Sequence, residues 1–147
     1  PQKKDMVEKK KKLNLENVKF FPLQPKEKYP EILYSSDICL VTLKNNVKTP
    51  VVPSKLVNIM ASGRPVIASV PLNSDVPKII NDSKCGICIE PENPKKLSDT
   101  ILKLYRDKSL REQMCKNGRK FVENYMSLSH CTNRYEKLFD KLKEEYQ

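Results

Sequence analysis

The sequence predicts an α/β domain, a parallel β-sheet with helices on its faces followed by a helical C-terminal segment over residues 94–147. Three observations carry that reading. Short apolar runs, Asp37 to Leu43, Val66 to Val70 and Gly86 to Glu90, alternate with stretches of helical spacing. The runs are nearly continuous rather than alternating apolar and polar, as expected of strands covered on both faces. Beyond Pro91 the pattern becomes wholly helical.

Taken in order, Lys3 to Leu13 reads as a basic surface helix and Val18 to Leu23 as a short apolar strand closed by Gln24 and Pro25. Tyr29 to Ser35 forms a short helix started by Pro30 in its first turn. Asp37 to Leu43 is the next strand, and the polar, proline-flanked stretch from Lys44 to Val52 is a loop at its end. A helix then opens at Pro53, Ser54 and Lys55, carries Leu56, Val57, Ile59, Met60 and Ala61, and stops at Gly63, a residue suited to a left-handed C-cap. The strand Val66 to Val70, the helix Asp75 to Asn81 and the strand Gly86 to Glu90 follow. Three helices complete the chain. Pro94 to Arg106 aligns Leu97, Ile101, Leu104 and Tyr105, and Ser109 to Tyr125 aligns Leu110, Met114, Phe121, Val122 and Tyr125 around a weakening Gly118. Ser129 to Tyr146 aligns Tyr135, Leu138, Phe139 and Leu142.

A chain of 147 residues, 38% apolar, supports one core and not two, so 1–147 is read as one domain. The first dozen residues are polar and lysine-rich, unlike an export signal, and no run reaches the roughly 20 apolar residues that span a bilayer. The formal charge of +10 comes mostly from lysines spread along the chain. Nucleic-acid readers gather arginine and aromatics on one face, so nucleic acid is disfavoured as a partner while an anionic membrane surface is not. Five cysteines form no regular framework, which fits a reducing compartment. Cys85 and Cys88 have the spacing of half a zinc site, but no second such pair exists and His130 is the only histidine. They are expected to be buried thiols with no metal.

Chemistry concentrates between Val52 and Val70. A helix that begins straight after a strand-end loop directs its first, unpaired N–H groups into the crevice beyond the strand ends, a place for an anion. Ser54 adds a hydroxyl and Lys55 a compact positive charge, together suited to a diphosphate, and Asn58 lies one turn along the same face, within reach of a ribose hydroxyl. Strand, proline turn and glycine-capped helix are also ordinary α/β grammar, so spacing alone leaves both readings open.

The run PSKLVNIMASGRPVIAS, residues 53–69, closely resembles the donor-helix segment of family-4-like (group 1) glycosyltransferases of the GT-B architecture. Further segments resemble that family in the correct order: LENVKFFP at 15–22, SDICL at 36–40, KCGICIEP at 84–91 and LREQMCKNGR at 110–119. The resemblance implies a Rossmann-like C-terminal domain, truncated at its N-terminus, that binds a nucleoside-diphosphate sugar, a UDP-sugar or GDP-sugar, with no other cofactor and usually no metal. It places Phe21, Pro22 and Leu23 beside the base, Ser54 and Lys55 on the diphosphate, Asn58 on the ribose, and Pro50, Val51, Val52 and Pro53 in the donor loop. The acceptor, a glycan or a lipid-linked glycan, would be bound by a separate N-terminal domain.

The sequence also departs from the family pattern. Two positions that are glutamates in many members are Pro50 and Asn58 here, and Lys78 stands where a glutamate is common. A "PSK" subgroup, which includes deoxy-sugar and amino-deoxy-sugar transferases of surface polysaccharide assembly, shows a similar replacement. The family's opening strands and basic pair are absent, so the natural protein is expected to extend upstream. The fragment by itself is expected to be inactive, with no catalytic residue assigned and an uncovered central sheet edge. A sugar-nucleotide epimerase of the same architecture and a non-catalytic nucleotide-binding module are the competing readings. Reduced cysteines place the protein in the cytoplasm, and its lysines allow peripheral contact with the inner membrane face.

Overall fold

The computed structural model describes residues 2–46 and 52–145. Three parallel strands, β1 (Cys39–Thr42), β2 (Val66–Ser69) and β3 (Gly86–Ile89), form a sheet in the order β1-β2-β3. The register pairs Cys39 with Val66 and Val66 with Gly86. Around the sheet lie α1 (Gln2–Lys12), a 3₁₀ turn (Lys26–Lys28), α2 (Tyr29–Tyr34), α3 (Ser54–Ala61), α4 (Asp75–Ser83), α5 (Pro94–Arg106), α6 (Lys108–Tyr125) and α7 (Leu128–Glu145). The expected α/β class, parallel sheet and helical C-terminal part are all present.

Strand periodicity sorts the core into two layers. Val66, Ala68 and Val70 point to one face, where they meet Leu56, Ile59 and Met60 of α3 and Val76 and Ile80 of α4. Ile67 and Ile89 point to the other, against Leu104 of α5 and Met114 of α6. All four residues of β2 are buried, which matches its central position.

Two glycines set the closeness of packing. A Cβ on Gly86 would stand 2.0 Å from the Val66 carbonyl oxygen, so only glycine permits β3 to start in this register. A Cβ on Gly118 would meet the Cys85 Cβ at 3.0 Å and the Met60 Cα at 3.6 Å. Gly118 is therefore the point where α6 approaches α3, and the residue that weakens the helix locally is what lets it dock. Capping fixes the helical segment: Asn93 accepts a hydrogen bond from the Lys96 N–H at 2.9 Å, and Asp107 accepts one from the Leu110 N–H at 2.8 Å.

Several expectations fail. Val18 to Leu23 is not a strand; it is extended chain with no ladder partner among the described residues, and Leu23 is 100% exposed. Five of these six residues, all but Lys19, are apolar and satisfy the strand pattern, but a strand exists only where a neighbour supplies hydrogen bonds. Nor is β1 covered on both faces. Its burial alternates, Cys39 and Val41 inward, Leu40 45% exposed, because β1 is an edge strand here and no described helix lies over that side. Tyr105, Tyr125 and the α7 residues Tyr135, Leu138, Phe139 and Leu142 are exposed rather than packed. Apolar spacing marks a face, and does not by itself provide the surface that covers it.

Candidate functional site

Because β1, α3 and β2 follow one another as parallel strand, helix and parallel strand, α3 begins on the side of the sheet where the strands end. Its N-cap is Pro53, in extended conformation (φ −60°, ψ 129°), and among the described residues no side chain caps it. The backbone turns tightly there, with the Leu56 N–H donating to the Pro53 carbonyl at 2.9 Å. Ser54, Lys55 and Asn58 are all exposed, whereas Leu56, Ile59 and Met60 are buried on the opposite face. The structure thus brings the three residues expected to hold diphosphate and ribose onto the solvent side of a helix that is anchored from behind.

The far end of α3 is closed. Gly63 adopts φ +62°, its N–H donates to the Met60 carbonyl at 3.0 Å, and the Arg64 N–H reaches back to the Ile59 carbonyl at 3.2 Å. The Ser62 hydroxyl donates to the Asn58 carbonyl at 2.9 Å, and the Arg119 guanidinium donates to the Ala61 carbonyl. Arg64 then lies over the ring of Tyr34, 4.5 Å from its centroid. The Asn58, Ile59, Met60 and Ala61 carbonyls thus each accept a hydrogen bond from one of these groups, all of them at the C-terminal end of the helix.

At the strand ends of the sheet the loop after β1 and the loop after β3 face each other across an open depression of about 500 Å³, lined by Lys44, Asn45, Asn46 and Glu92. Sequence reasoning did not single out these four. Their signal was topological: each follows the C-terminal end of a strand, the edge where α/β sheets bind ligands. Glu92 is also held at φ +60°, in the left-handed region that a glutamate seldom occupies.

Other expected site residues are less assembled. Phe21, Pro22 and Leu23 lie on the exposed segment before α2, tied only by the Gln24 side-chain amide donating to the Pro22 carbonyl at 3.0 Å. Among the described residues no hydrogen bond joins them to α3. Val52 and Pro53 of the donor loop are exposed and half-buried, respectively; Pro50 and Val51 lie outside the described residues.

The cysteines behave as structural thiols. Cys85 is buried before β3 and Cys88 lies half-buried within it. Burial pushes the Cys85 thiol up, and burial together with the nearby Cys85 pushes Cys88 up to about 11. Both stay protonated at neutral pH, unlike an activated nucleophile. No metal-ligating cluster occurs among the described residues.

An open helix N-terminus at the strand ends of a parallel sheet, with a hydroxyl and an ammonium in its first turn, is an arrangement with which α/β folds can hold an anion. Residues 1–121 match the family model described as "Glycosyl transferases group 1", and the chain belongs to that family. It is 32% identical over 84 residues to WcaI, a candidate colanic acid biosynthesis glycosyl transferase of Escherichia coli (strain K12), covering 56% of this chain and 21% of that protein. The structure is similar to sucrose-phosphate synthase from Thermosynechococcus elongatus, with a TM-score of 0.77 and 21% identity over 98% of this chain and 35% of that one. The fold is accordingly that of a GT-B glycosyltransferase domain, and the chain spans about a fifth and about a third of these two proteins.

Proposed function

We propose that this chain is the donor-binding part of a glycosyltransferase that moves a sugar from a nucleoside-diphosphate sugar, a UDP-sugar or GDP-sugar, to a glycan or lipid-linked acceptor. The observation that carries the reading is the asymmetry of α3, closed at Gly63 and uncapped by any side chain at Pro53. In the transfer, the bond between the sugar C1 and the diphosphate oxygen breaks while an acceptor oxygen bonds to C1 and releases its proton. Negative charge accumulates on the departing diphosphate. Helix N–H groups, the Ser54 hydroxyl and the Lys55 ammonium meet that charge where it develops, which is the group of interactions that lowers a barrier rather than merely binding substrate.

In the same reading Asn58 holds the ribose, Phe21, Pro22 and Leu23 border the base, and Pro50 to Pro53 form the donor loop. Asn45, Asn46 and Glu92 offer polar groups to the sugar. An asparagine at 58 supplies a neutral amide where a carboxylate would repel the adjacent diphosphate, and supports a place in the "PSK" subgroup with a deoxy or amino-deoxy sugar as cargo. The protein acts in the cytoplasm and touches the anionic inner membrane face, where lipid-linked acceptors are presented. An epimerase of the same architecture needs carboxylate and histidine pairs, whereas His130 lies on α7 against Tyr125.

Calorimetric titration of the intact protein with UDP and GDP tests the reading. Binding of one nucleotide at micromolar to millimolar concentration is expected, and Lys55→Ala should weaken it by about 1.5–3 kcal/mol, as for a charge-assisted hydrogen bond. Absence of binding for both nucleotides at millimolar concentration would reject it, and unchanged affinity in the variant would reject the diphosphate role of Lys55.

A further inference from the structure

Much of the molecule's positive charge lies in its N-terminal segment rather than on the donor helix. Residues 2–28 contain nine of the 28 Lys and Arg residues and four of the 18 acids, and so carry half of the +10 net charge. Six of the nine lysines are on α1: Lys3, Lys4, Lys9, Lys10, Lys11 and Lys12. All but Lys10 are exposed, and the salt bridges among the described residues leave every one of them without an acidic partner. Apolar side chains project from the same region, with Met6 61% exposed and Leu13 56% exposed. Asn14, at φ +49°, ends the helix there: the Asn14 N–H bonds the Lys11 carbonyl and the Leu15 N–H bonds the Lys10 carbonyl, each at 3.1 Å. The turn thus fixes Leu13 beside Lys9 to Lys12.

We propose that α1 and the turn after it form the surface through which the protein docks on an anionic lipid bilayer, lysines on the headgroups and Met6 and Leu13 in the interface. A cluster of lysines with exposed apolar neighbours combines the two contributions that hold a protein on a membrane without spanning it. The alternative polyanion, nucleic acid, is disfavoured by the same residues, because α1 has neither an arginine nor an aromatic side chain to read or stack on bases. The inference rests on the membrane contact proposed above and is independent of the donor site.

Co-sedimentation of the intact protein with phosphatidylglycerol vesicles and with phosphatidylcholine vesicles is the test, with single-stranded DNA as competitor. Binding only to the anionic vesicles, lost as salt screens it, is expected. Each lysine at such a surface contributes about fivefold, so replacing Lys9, Lys10, Lys11 and Lys12 by Gln should lower the affinity by roughly 100-fold or more. Met6→Ser with Leu13→Ser should reduce it further, while UDP or GDP binding stays unchanged. Equal binding by the glutamine variant would overturn α1 as the docking surface while leaving a membrane contact elsewhere intact. Absence of binding to anionic vesicles, or displacement by DNA at stoichiometric concentration, would overturn both, and neither result would touch the donor reading.

Discussion

The two ends of α3 are treated differently by the fold. At the C-terminal end, Gly63, Ser62 and Arg119 between them occupy the last carbonyls, and Gly118 brings α6 against Met60. At the N-terminal end, Pro53 contributes no side-chain cap and Ser54 and Lys55 face solvent. On the proposed donor reading, stability and binding are thus lodged in different residues eight positions apart on one short helix. An isolated helix of this length would not persist in water, so its open end exists only because the other end and the buried face are held.

That separation can be broken deliberately. Met60→Ala removes a fully buried side chain at the junction of α3 and α6 and should destabilise the protein by about 2–5 kcal/mol in urea denaturation, with nucleotide affinity of the remaining folded molecules little changed. Lys55→Ala should do the reverse, leaving the denaturation midpoint within the equivalent of about 0.5 kcal/mol while donor affinity falls. If Lys55→Ala proves strongly destabilising, the two ends are not independent. Gly63→Ala forces a side chain into the left-handed region and should lower stability by about 1–2 kcal/mol, again without altering the site.

A further expected effect concerns pH. Cys88 has a raised folded-state pKa of about 11 against an ordinary value of 9.0, so the fold favours the protonated thiol. Above pH 9 the unfolded chain binds fewer protons than the native one, and stability falls as pH rises from about 9 to 11. Below pH 9 the contribution is fully present. Cys88→Ala should flatten that part of the curve, measured as thermal midpoint against pH, and an unchanged slope would assign the effect to Cys85 or to other groups.

Much of the sheet was legible in the sequence because strand length, β-branched content and punctuation agree at each site. Val66, Ile67, Ala68 and Ser69 between Pro65 and Pro71 admit few other conformations. The α5 helix was readable to its ends, since Asn93, Pro94 and Asp107 state both boundaries chemically. Phe20, Phe21 and Leu23 misled because their pattern describes a strand whose partner the sequence cannot display. Gly118 misled differently: propensity gives its local penalty, while its benefit is a contact with residues more than thirty positions away. For the site, Ser54, Lys55 and Asn58 followed from helix spacing, whereas Lys44, Asn45, Asn46 and Glu92 converge only once β1 and β3 flank the end of β2.

The buried face of α3, Leu56, Ile59 and Met60, alternates with an exposed face, Ser54, Lys55 and Asn58, that no other element among the described residues covers. Mutational drift on the exposed face therefore meets little resistance from folding. On the proposed donor reading, a combinatorial library confined to positions 54, 55 and 58 would vary ligand preference on a nearly constant thermodynamic background, so selection for a new sugar nucleotide need not first screen for survivors. Helices divided in this way give a lineage room to change specificity while its architecture stays put.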